Sequence, residues 1–193
     1  MPHNRTRNTI LDATREVIIR EGATKLTVSG VAKTANITRS LFYHYFTTKE
    51  EAIEAVLDHV IDDFLSELKA WNDAREPGNI DKALEEATAL MRKILNDDGP
   101  FATSLARTRN AELYLEFTDR AARRISHYIS ETTVRDYKEK HPVHITHVEE
   151  TFYMLLTGLT ALIRTNPDID DAIITHLIAQ TLHIDEYLYT PLS

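Results

Sequence analysis

Three regularly spaced histidines are the side chains of this 193-residue chain best suited to hold a metal ion. His141, His144 and His147 recur at three-residue intervals, and Glu150 follows after three more. Imidazole and carboxylate groups bind zinc and similar cations, and side chains three apart on a helix are neighbours. Pro142 places His141 before the predicted helix, which counts against such a site. A helical metal-binding sensor or enzyme using these histidines is kept as the alternative function.

Familiar catalytic motifs are absent from the sequence. It contains no glycine-rich phosphate loop, no Gly-x-Ser-x-Gly elbow, no His-Glu-x-x-His pair and no cysteine. A cysteine nucleophile, a thiolate zinc finger, an iron–sulfur cluster and a disulfide framework are therefore excluded. We expect a protein that is not an enzyme and that uses no cofactor.

Charge is distributed unevenly along the chain. Residues 1–50 carry eight Arg and Lys against four Asp and Glu, a net charge of +4. The remaining residues carry 14 basic against 26 acidic side chains, a net charge of −12. This asymmetry indicates that only the basic first segment meets a polyanion such as DNA.

The hydrophobic pattern predicts helices throughout. Five Gly and six Pro are few for a β-sandwich or a low-complexity chain, and no alternating stretch indicates a strand. The 3.6-residue period predicts an all-α fold of about nine helices, at 6–20, 28–34, 39–43, 48–71, 80–95, 101–108, 110–140, 143–164 and 169–189.

Two short helices joined by a tight turn follow a longer first helix in the basic segment. This is the arrangement of a helix-turn-helix. Thr27 and Thr38 are predicted to cap the two helices, and Asn36 tolerates the left-handed backbone that the turn requires. A capping box at Thr48 and Glu51 begins the next helix.

The stretch from Leu26 to Glu50, LTVSGVAKTANITRSLFYHYFTTKE, resembles the DNA-binding signature of the tetracycline-repressor (TetR) family. The match covers about a quarter of the chain, and the run Ile37 to Glu50 is its most specific part. Asn36 and Ser40 stand where the family commonly has Gly or another small residue, and Gly30 within the second helix is unusual. The resemblance implies a homodimeric, ligand-controlled transcriptional regulator, most often a repressor, that binds double-stranded DNA at a palindromic operator.

The resemblance also assigns roles by position. It implies a DNA-binding domain over 1–48 and a ligand-binding and dimerisation domain over 49–193. The residues implied to bind DNA are Thr27, Thr38, Arg39, Ser40, Tyr43, His44 and Lys49. Among them Arg39 is the candidate to read guanine, and Tyr43 and Lys49 are candidates to contact phosphates. Leu41, Phe42 and Phe46 are expected in the core of the three-helix head.

The last two predicted helices are apolar almost all round, which favours packing against a second copy as well as against the body. The residues expected in this dimer interface are Leu155, Leu159, Leu162, Ile174, Leu177 and Ile178. The family's effector cavity lies in the body. Large side chains available to line it, for a small and largely apolar effector, are Trp71, Met91, Phe101, Leu105, Leu113, Tyr114, Phe117 and Tyr153.

We expect the protein in the cytoplasm, with no membrane partner. Residues 1–7 are not followed by the apolar segment of a secretory signal. The most apolar stretch, residues 152–163, is shorter than the roughly 20 residues that span a bilayer. A helical adaptor that binds protein through its head is a third interpretation, and it predicts no salt-dependent affinity for DNA.

Overall fold

Helices make up the regular structure of the chain. The computed structural model describes residues 2–76, 79–96 and 111–188, without the side chains at 2–4, 94–96, 111–112 and 187. Within these ranges there is no strand, and the all-α prediction is confirmed. The α-helices are α1 (Pro2–Glu21), α2 (Val28–Thr34), α3 (Arg39–Tyr45), α4 (Lys49–Ala74), α5 (Ile80–Asn96), α6 (Ala111–Glu131), α7 (Thr133–Lys138), α8 (Val148–Thr165) and α9 (Asp171–Leu182). Short 3₁₀ turns occur at Ala23–Lys25 and Asp185–Tyr187.

The chain divides into two compact units, and the division falls inside α4 and again inside α6. Of the described residues, the first unit contains 2–63 and 111–117, and the second contains 64–76, 79–96 and 118–188. The functional division predicted between residues 48 and 49 stays a prediction, because packing alone does not say which residues bind DNA or an effector.

The core of the first unit is formed by apolar residues on the inner faces of α1 to α4 and in the segments that connect them. The most fully buried of them are Ile10, Val17, Ile18, Leu26, Val31, Phe42, Phe46, Leu57 and Ile61. Burying a side chain of this size contributes roughly 1.5–3 kcal/mol, so this core supplies most of the energy that holds the short helices in place.

The turn between α2 and α3 closes through two backbone hydrogen bonds. The Ile37 N–H donates to the Ala32 carbonyl at 2.9 Å, and the Asn36 N–H donates to the Lys33 carbonyl at 3.2 Å. Asn36 has φ 53°, in the left-handed region predicted for it. This pair of bonds is the Schellman motif, which satisfies the last carbonyls of α2 and turns the chain towards α3.

The predicted caps form, with one difference at α4. The Thr48 hydroxyl accepts from the Glu51 N–H at 3.1 Å. The Glu51 carboxylate, however, accepts from the N–H of Thr47 at 2.6 Å, one residue earlier than in a standard capping box. The start of α4 is therefore still fixed by reciprocal hydrogen bonds.

The single helix predicted over residues 110–140 is wrong, because the helix breaks at Thr132. This residue has φ −121° and ψ −78°, and its hydroxyl donates to the Tyr128 carbonyl at 2.6 Å. The Thr133 hydroxyl donates to Asn72 Oδ1 at 2.8 Å. The non-helical backbone of Thr132, beside a Thr133 side chain bound to α4, thus separates α6 from α7.

The bounds predicted for the last two helices are also wrong. Helix α8 begins at Val148 rather than Val143, because the backbone of His147, with φ −106° and ψ 72°, is not helical and precedes the first turn. Helix α9 ends at Leu182 because His183 adopts φ 54°. Hydrogen bonds from His183 and Ile184 to carbonyls of the last turn close the helix there, as in the Schellman motif of α2.

Replacing Asn36 by Ala is expected to lower the free energy of unfolding by about 1 kcal/mol, because a Cβ without a polar partner is disfavoured at positive φ. Asn36→Gly is the matched control and should be as stable as the wild type or more so. Urea unfolding followed by circular dichroism measures both. Equal stability of the two variants would contradict the conformation assigned to the turn.

Candidate nucleic-acid interface

Helix α3 is held by two phenylalanines on its inner side. Phe42 and Phe46 are buried, one helical turn apart, with ring centroids 5.7 Å apart. Their burial fixes which way the helix faces, so the residues on its opposite side point to solvent. The expectation that both pack in the core is confirmed.

The outer side of α3 carries most of the predicted DNA-binding residues. Thr38, Arg39, Ser40, Tyr43 and His44 are all exposed, and Tyr43 keeps 48% of its surface. Arg39 with Tyr43, and Ser40 with His44, are four residues apart and share a face. The structure therefore brings these five residues together on one polar surface, called the α3 outer face below.

Leu41 was expected in the core, and this expectation is wrong. Its side chain is 36% exposed, whereas the next residue, Phe42, is fully buried. Because successive residues on a helix differ by about 100° in direction, both cannot face the core of such a short helix. Leu41 therefore lies at the edge of the α3 outer face, where an apolar group suits contact with a thymine methyl.

Thr27 and Thr38 use their hydroxyl oxygens as helix caps. Thr27 Oγ1 accepts from the Gly30 N–H at 3.1 Å, and Thr38 Oγ1 accepts from the Leu41 N–H at 3.1 Å. A hydroxyl that accepts in this way can still donate its hydrogen, for example to a phosphate oxygen. A Cβ on Gly30 would lie 3.2 Å from Thr27 Oγ1, so the unusual glycine leaves room for the cap.

Lys49 connects the start of α4 to the start of α2. Its Nζ donates to the Leu26 carbonyl at 3.2 Å and lies 3.8 Å from Glu50 Oε1, with the side chain about one-third exposed. The amine is therefore held beside the Thr27 cap, and an ammonium group has two further N–H donors. Its phosphate contact stays a prediction, although the position favours one.

Arg7 is a candidate that the sequence reasoning did not single out. Its guanidinium carbon lies 5.3 Å from the centroid of the Phe46 ring. This cation–π contact from α1 fixes an exposed positive charge next to the residue that ends α3. No sequence pattern marks Arg7 as a candidate, because its contact with Phe46 joins residues 39 positions apart.

The distribution of acidic residues leaves the helix-turn-helix favourable to an anion. The first turns of α2 and α3 contain no acidic side chain, whereas α4 begins with Glu50 and Glu51. On α1, Arg20 is paired with Glu16 and Glu21 at 2.9 and 2.8 Å. Positive charge therefore outweighs negative charge on α2 and α3.

The predicted effector-lining residues fall into both units. Leu113 and Phe117 are buried and Tyr114 is half-buried in the first unit. Trp71, Met91 and Tyr153 are half-buried in the second unit, and Phe101 and Leu105 lie outside the described residues. A common pocket for this set therefore stays a prediction.

Two of these side chains are engaged in polar contacts. The Trp71 indole N–H donates to Glu86 Oε2 at 3.1 Å, which ties α4 to α5. The Tyr153 hydroxyl donates to Asp119 Oδ1 at 2.6 Å. The polar atoms of both side chains therefore hold helices together.

Asp119 is the centre of a small charged network between α6 and α8. Arg123 Nε donates to Asp119 Oδ2 at 3.0 Å, and its guanidinium lies over the Tyr153 ring at 4.9 Å. The hydrogen bond from Arg123, and then that from Tyr153, lowers the pKa of Asp119 below its ordinary value. The same contact with Asp119 raises the pKa of Tyr153.

The residues predicted in the dimer interface differ in how deeply they are buried. Leu159, Ile174 and Ile178 are buried in an apolar cluster of the second unit, and Leu155, Leu162 and Leu177 pack against it half-buried. Met154 on α8 and Ile173 on α9 are 60% and 44% exposed. An all-round apolar helix gives no sequence signal for which side stays uncovered.

The histidine triplet does not assemble into a metal site. His141, His144 and His147 lie before α8 in chain without helical structure, so the spacing argument does not apply. The His141 ring stacks on Tyr137 at 4.9 Å between centroids. Within the part of the chain that the structure describes, no three His, Cys, Asp or Glu side chains are grouped to hold a metal ion.

A membrane-spanning helix is also missing from the described ranges: none of their helices combines the necessary length and hydropathy.

Comparison with known proteins places the helix-turn-helix in a family. Residues 10–56 match the family model described as "Bacterial regulatory proteins, tetR family". Over 120 residues, 59% of this chain, the sequence is 29% identical to ArpR of Pseudomonas putida, described as a "Probable HTH-type transcriptional regulator". The matched part is 52% of that relative, so the chain spans about half the length of the relative that it matches.

Solved structures share the whole fold at low sequence identity. The fatty acid degradation regulator FadR from Bacillus halodurans is 18% identical with a TM-score of 0.65, covering 91% of this chain and 93% of that one. The multidrug binding protein EbrR, complexed with imidazole, is 15% identical with a TM-score of 0.64, covering 97% of each chain. This likeness establishes the fold of the described helices and leaves the ligand open.

The Asp119 network predicts how the stability of the fold depends on pH. Arg123→Ala should raise the pKa of Asp119 more than Tyr153→Phe does, because Arg123 is the larger cause of the depression. A carboxyl whose folded pKa lies below its unfolded pKa stabilises the fold above the unfolded value and loses this effect as pH falls through the folded one. The stability difference between wild type and Arg123→Ala should therefore shrink in acid.

NMR titration of the Asp119 carboxyl carbon measures the pKa in the wild type and in both variants. Thr118→Ala is a neighbouring control on α6. Equal titration of Asp119 in the wild type and in Arg123→Ala would show that the network does not act on this carboxyl.

Proposed function

Because this chain belongs to the TetR family of bacterial regulatory proteins, we propose that it is a ligand-responsive, DNA-binding transcriptional regulator that acts as a repressor. It binds a palindromic operator as a homodimer in the cytoplasm and is released by a small, largely apolar effector. The observation that carries this proposal is the α3 outer face, a polar surface fixed by the burial of Phe42 and Phe46.

At the DNA, the α3 outer face enters the major groove. The guanidinium of Arg39 donates two parallel hydrogen bonds to guanine O6 and N7, and Ser40 and His44 lie on the same exposed side. Thr27, Tyr43 and Lys49 donate to phosphates on either side, which positions the helix without reading sequence.

The homodimer is proposed from the second unit. Met154 and Ile173 are large apolar side chains left exposed on α8 and α9, the two helices that supply most of the buried apolar cluster of the second unit. A second copy supplies the same surface, so a twofold arrangement covers both. Two heads related by this twofold read inverted half-sites separated by about one turn of DNA, roughly 34 Å.

Effector control requires that the ligand bind the DNA-competent and DNA-incompetent dimers with different affinities. One similar structure is that of a fatty acid degradation regulator, and another is that of a multidrug binding protein. The large side chains predicted for the cavity here are mostly apolar, which favours an apolar effector. Helix α4 is continuous and contributes residues to both units, and we propose it as the transmitting element.

Operator binding tests the proposal directly. We expect Arg39→Ala to cost about 1–3 kcal/mol of discrimination at one base pair of each half-site, because the bidentate contact is lost. Lys49→Ala should weaken binding to all sequences and reduce the salt slope by about one, because one phosphate contact is removed. An operator obtained by random-sequence selection and fluorescence anisotropy at several salt concentrations provide the measurement.

Arg20→Ala is the matched control, since Arg20 is exposed but already paired with two glutamates. It should bind like the wild type. A folded protein with no salt-dependent DNA affinity would instead favour the protein-binding adaptor.

Dimer formation is expected to fail when charge is placed on the uncovered apolar surface. Met154→Asp or Ile173→Asp should produce monomers, because burying an unpaired carboxylate in the interface is costly. Sedimentation velocity measures the association, and Glu150→Gln, an exposed position on α8, is the control. Dimers of both aspartate variants with wild-type affinity would place the interface elsewhere.

A further inference from the structure

One arginine of the second unit reaches across to the turn between α8 and α9. The Arg92 side chain extends from α5, with about one-fifth of its surface exposed. Its Nη1 donates to the Pro167 carbonyl at 2.8 Å, its Nη2 donates to the Ile169 carbonyl, and its Nε pairs with the Asp171 carboxylate. A single guanidinium thus binds three groups within five consecutive residues.

We propose that Arg92 is a positioning residue that holds the α8–α9 turn and so sets the surface through which two copies of this chain associate. This inference rests on the proposed homodimer. It assigns Arg92 no contact with DNA or effector.

The chemistry of the turn explains why an arginine is suited to it. Residues 167–171 present two backbone carbonyls and the Asp171 carboxylate to one side. A planar guanidinium has N–H groups pointing in fixed, diverging directions, so one side chain can bind all three acceptors. A lysine keeps the charge but not this geometry.

Other contacts hold α5 firmly against α9, so that Arg92 acts from a fixed base. The hydroxyls of Thr88 and Thr175 lie 3.0 Å apart, and Thr88 is buried. Leu84, one turn before Thr88, belongs to the same buried apolar cluster as Ile174 and Ile178. The Arg92 side chain therefore extends from a helix that is itself fixed against α9.

The turn that Arg92 holds leads directly into the proposed interface. Ile173, 44% exposed, lies two residues after Asp171 and four after Ile169. The Asp170 carboxylate caps α9 by accepting from the Ala172 N–H at 2.9 Å. A change in the turn therefore moves the first turn of α9, and with it the exposed Ile173 side chain relative to Met154 on α8.

Two variants separate geometry from charge. Arg92→Lys keeps the charge and loses the three-way contact, so it should raise the dimer dissociation constant about tenfold, the scale of one lost charge-assisted hydrogen bond. Asp171→Asn keeps both carbonyl contacts and an acceptor oxygen, so it should raise the constant about threefold. Lys93→Ala is the control, because Lys93 is the next residue on α5 and pairs with Glu67 on α4 at 3.1 Å; its constant should match the wild type.

Sedimentation velocity over a dilution series measures the dissociation constants of the full chain. Amide hydrogen exchange at dilutions where the protein is monomeric reports on the turn itself, and we expect faster exchange at Ile169 and Ala172–Ile174 in Arg92→Lys. A merely destabilised protein would exchange faster throughout. Once the protein concentration exceeds the dimer dissociation constant of Arg92→Lys, this variant should bind the operator as tightly as the wild type.

The outcomes distinguish the two proposals. Wild-type protein that stays monomeric at all concentrations would refute the homodimer, and the inference with it. A wild-type dimer whose affinity is unchanged in Arg92→Lys would overturn the role of Arg92 alone. If circular dichroism shows Arg92→Lys to be unfolded, Asp171→Asn decides, and a constant equal to that of the wild type would overturn the inference.

Discussion

The burial of Phe42 and Phe46 is the constraint on which the α3 outer face depends. Helix α3 has seven residues, too few for a helix to be stable by itself in water. The two rings contribute roughly 1.5–3 kcal/mol each when removed from water, which is enough to decide how the helix faces. The exposed positions of Arg39, Ser40 and His44 follow from that orientation.

The ends of this helix are fixed by short-range hydrogen bonds rather than by the core. The left-handed backbone at Asn36 closes α2, and the Thr38 hydroxyl opens α3 three residues later. Lys49 and Arg7 then attach α4 and α1 to the same region, through a backbone carbonyl and an aromatic ring. The placement of the α3 outer face is therefore shared among helices α1 to α4.

The second unit is organised differently, because polar side chains join its apolar helices at separate points. Trp71 to Glu86, Tyr153 to Asp119, and Arg92 to the α8–α9 turn each connect two elements. Such contacts have directional geometry that apolar packing lacks, so they select one arrangement among several of similar buried area. This gives a physical basis for a helical body that holds one arrangement.

The sequence by itself determined the features that depend on neighbouring residues: the all-α class, the threonine caps, the turn at Asn36 and the polar side of α3. Each rests on local rules of periodicity and hydrogen bonding, which act within a few residues. Only the tertiary structure decided that Leu41 is exposed and that Arg7 and Arg92 reach distant partners. These depend on which faces of the helices meet, and contacts between residues far apart in the chain leave no pattern in a single sequence.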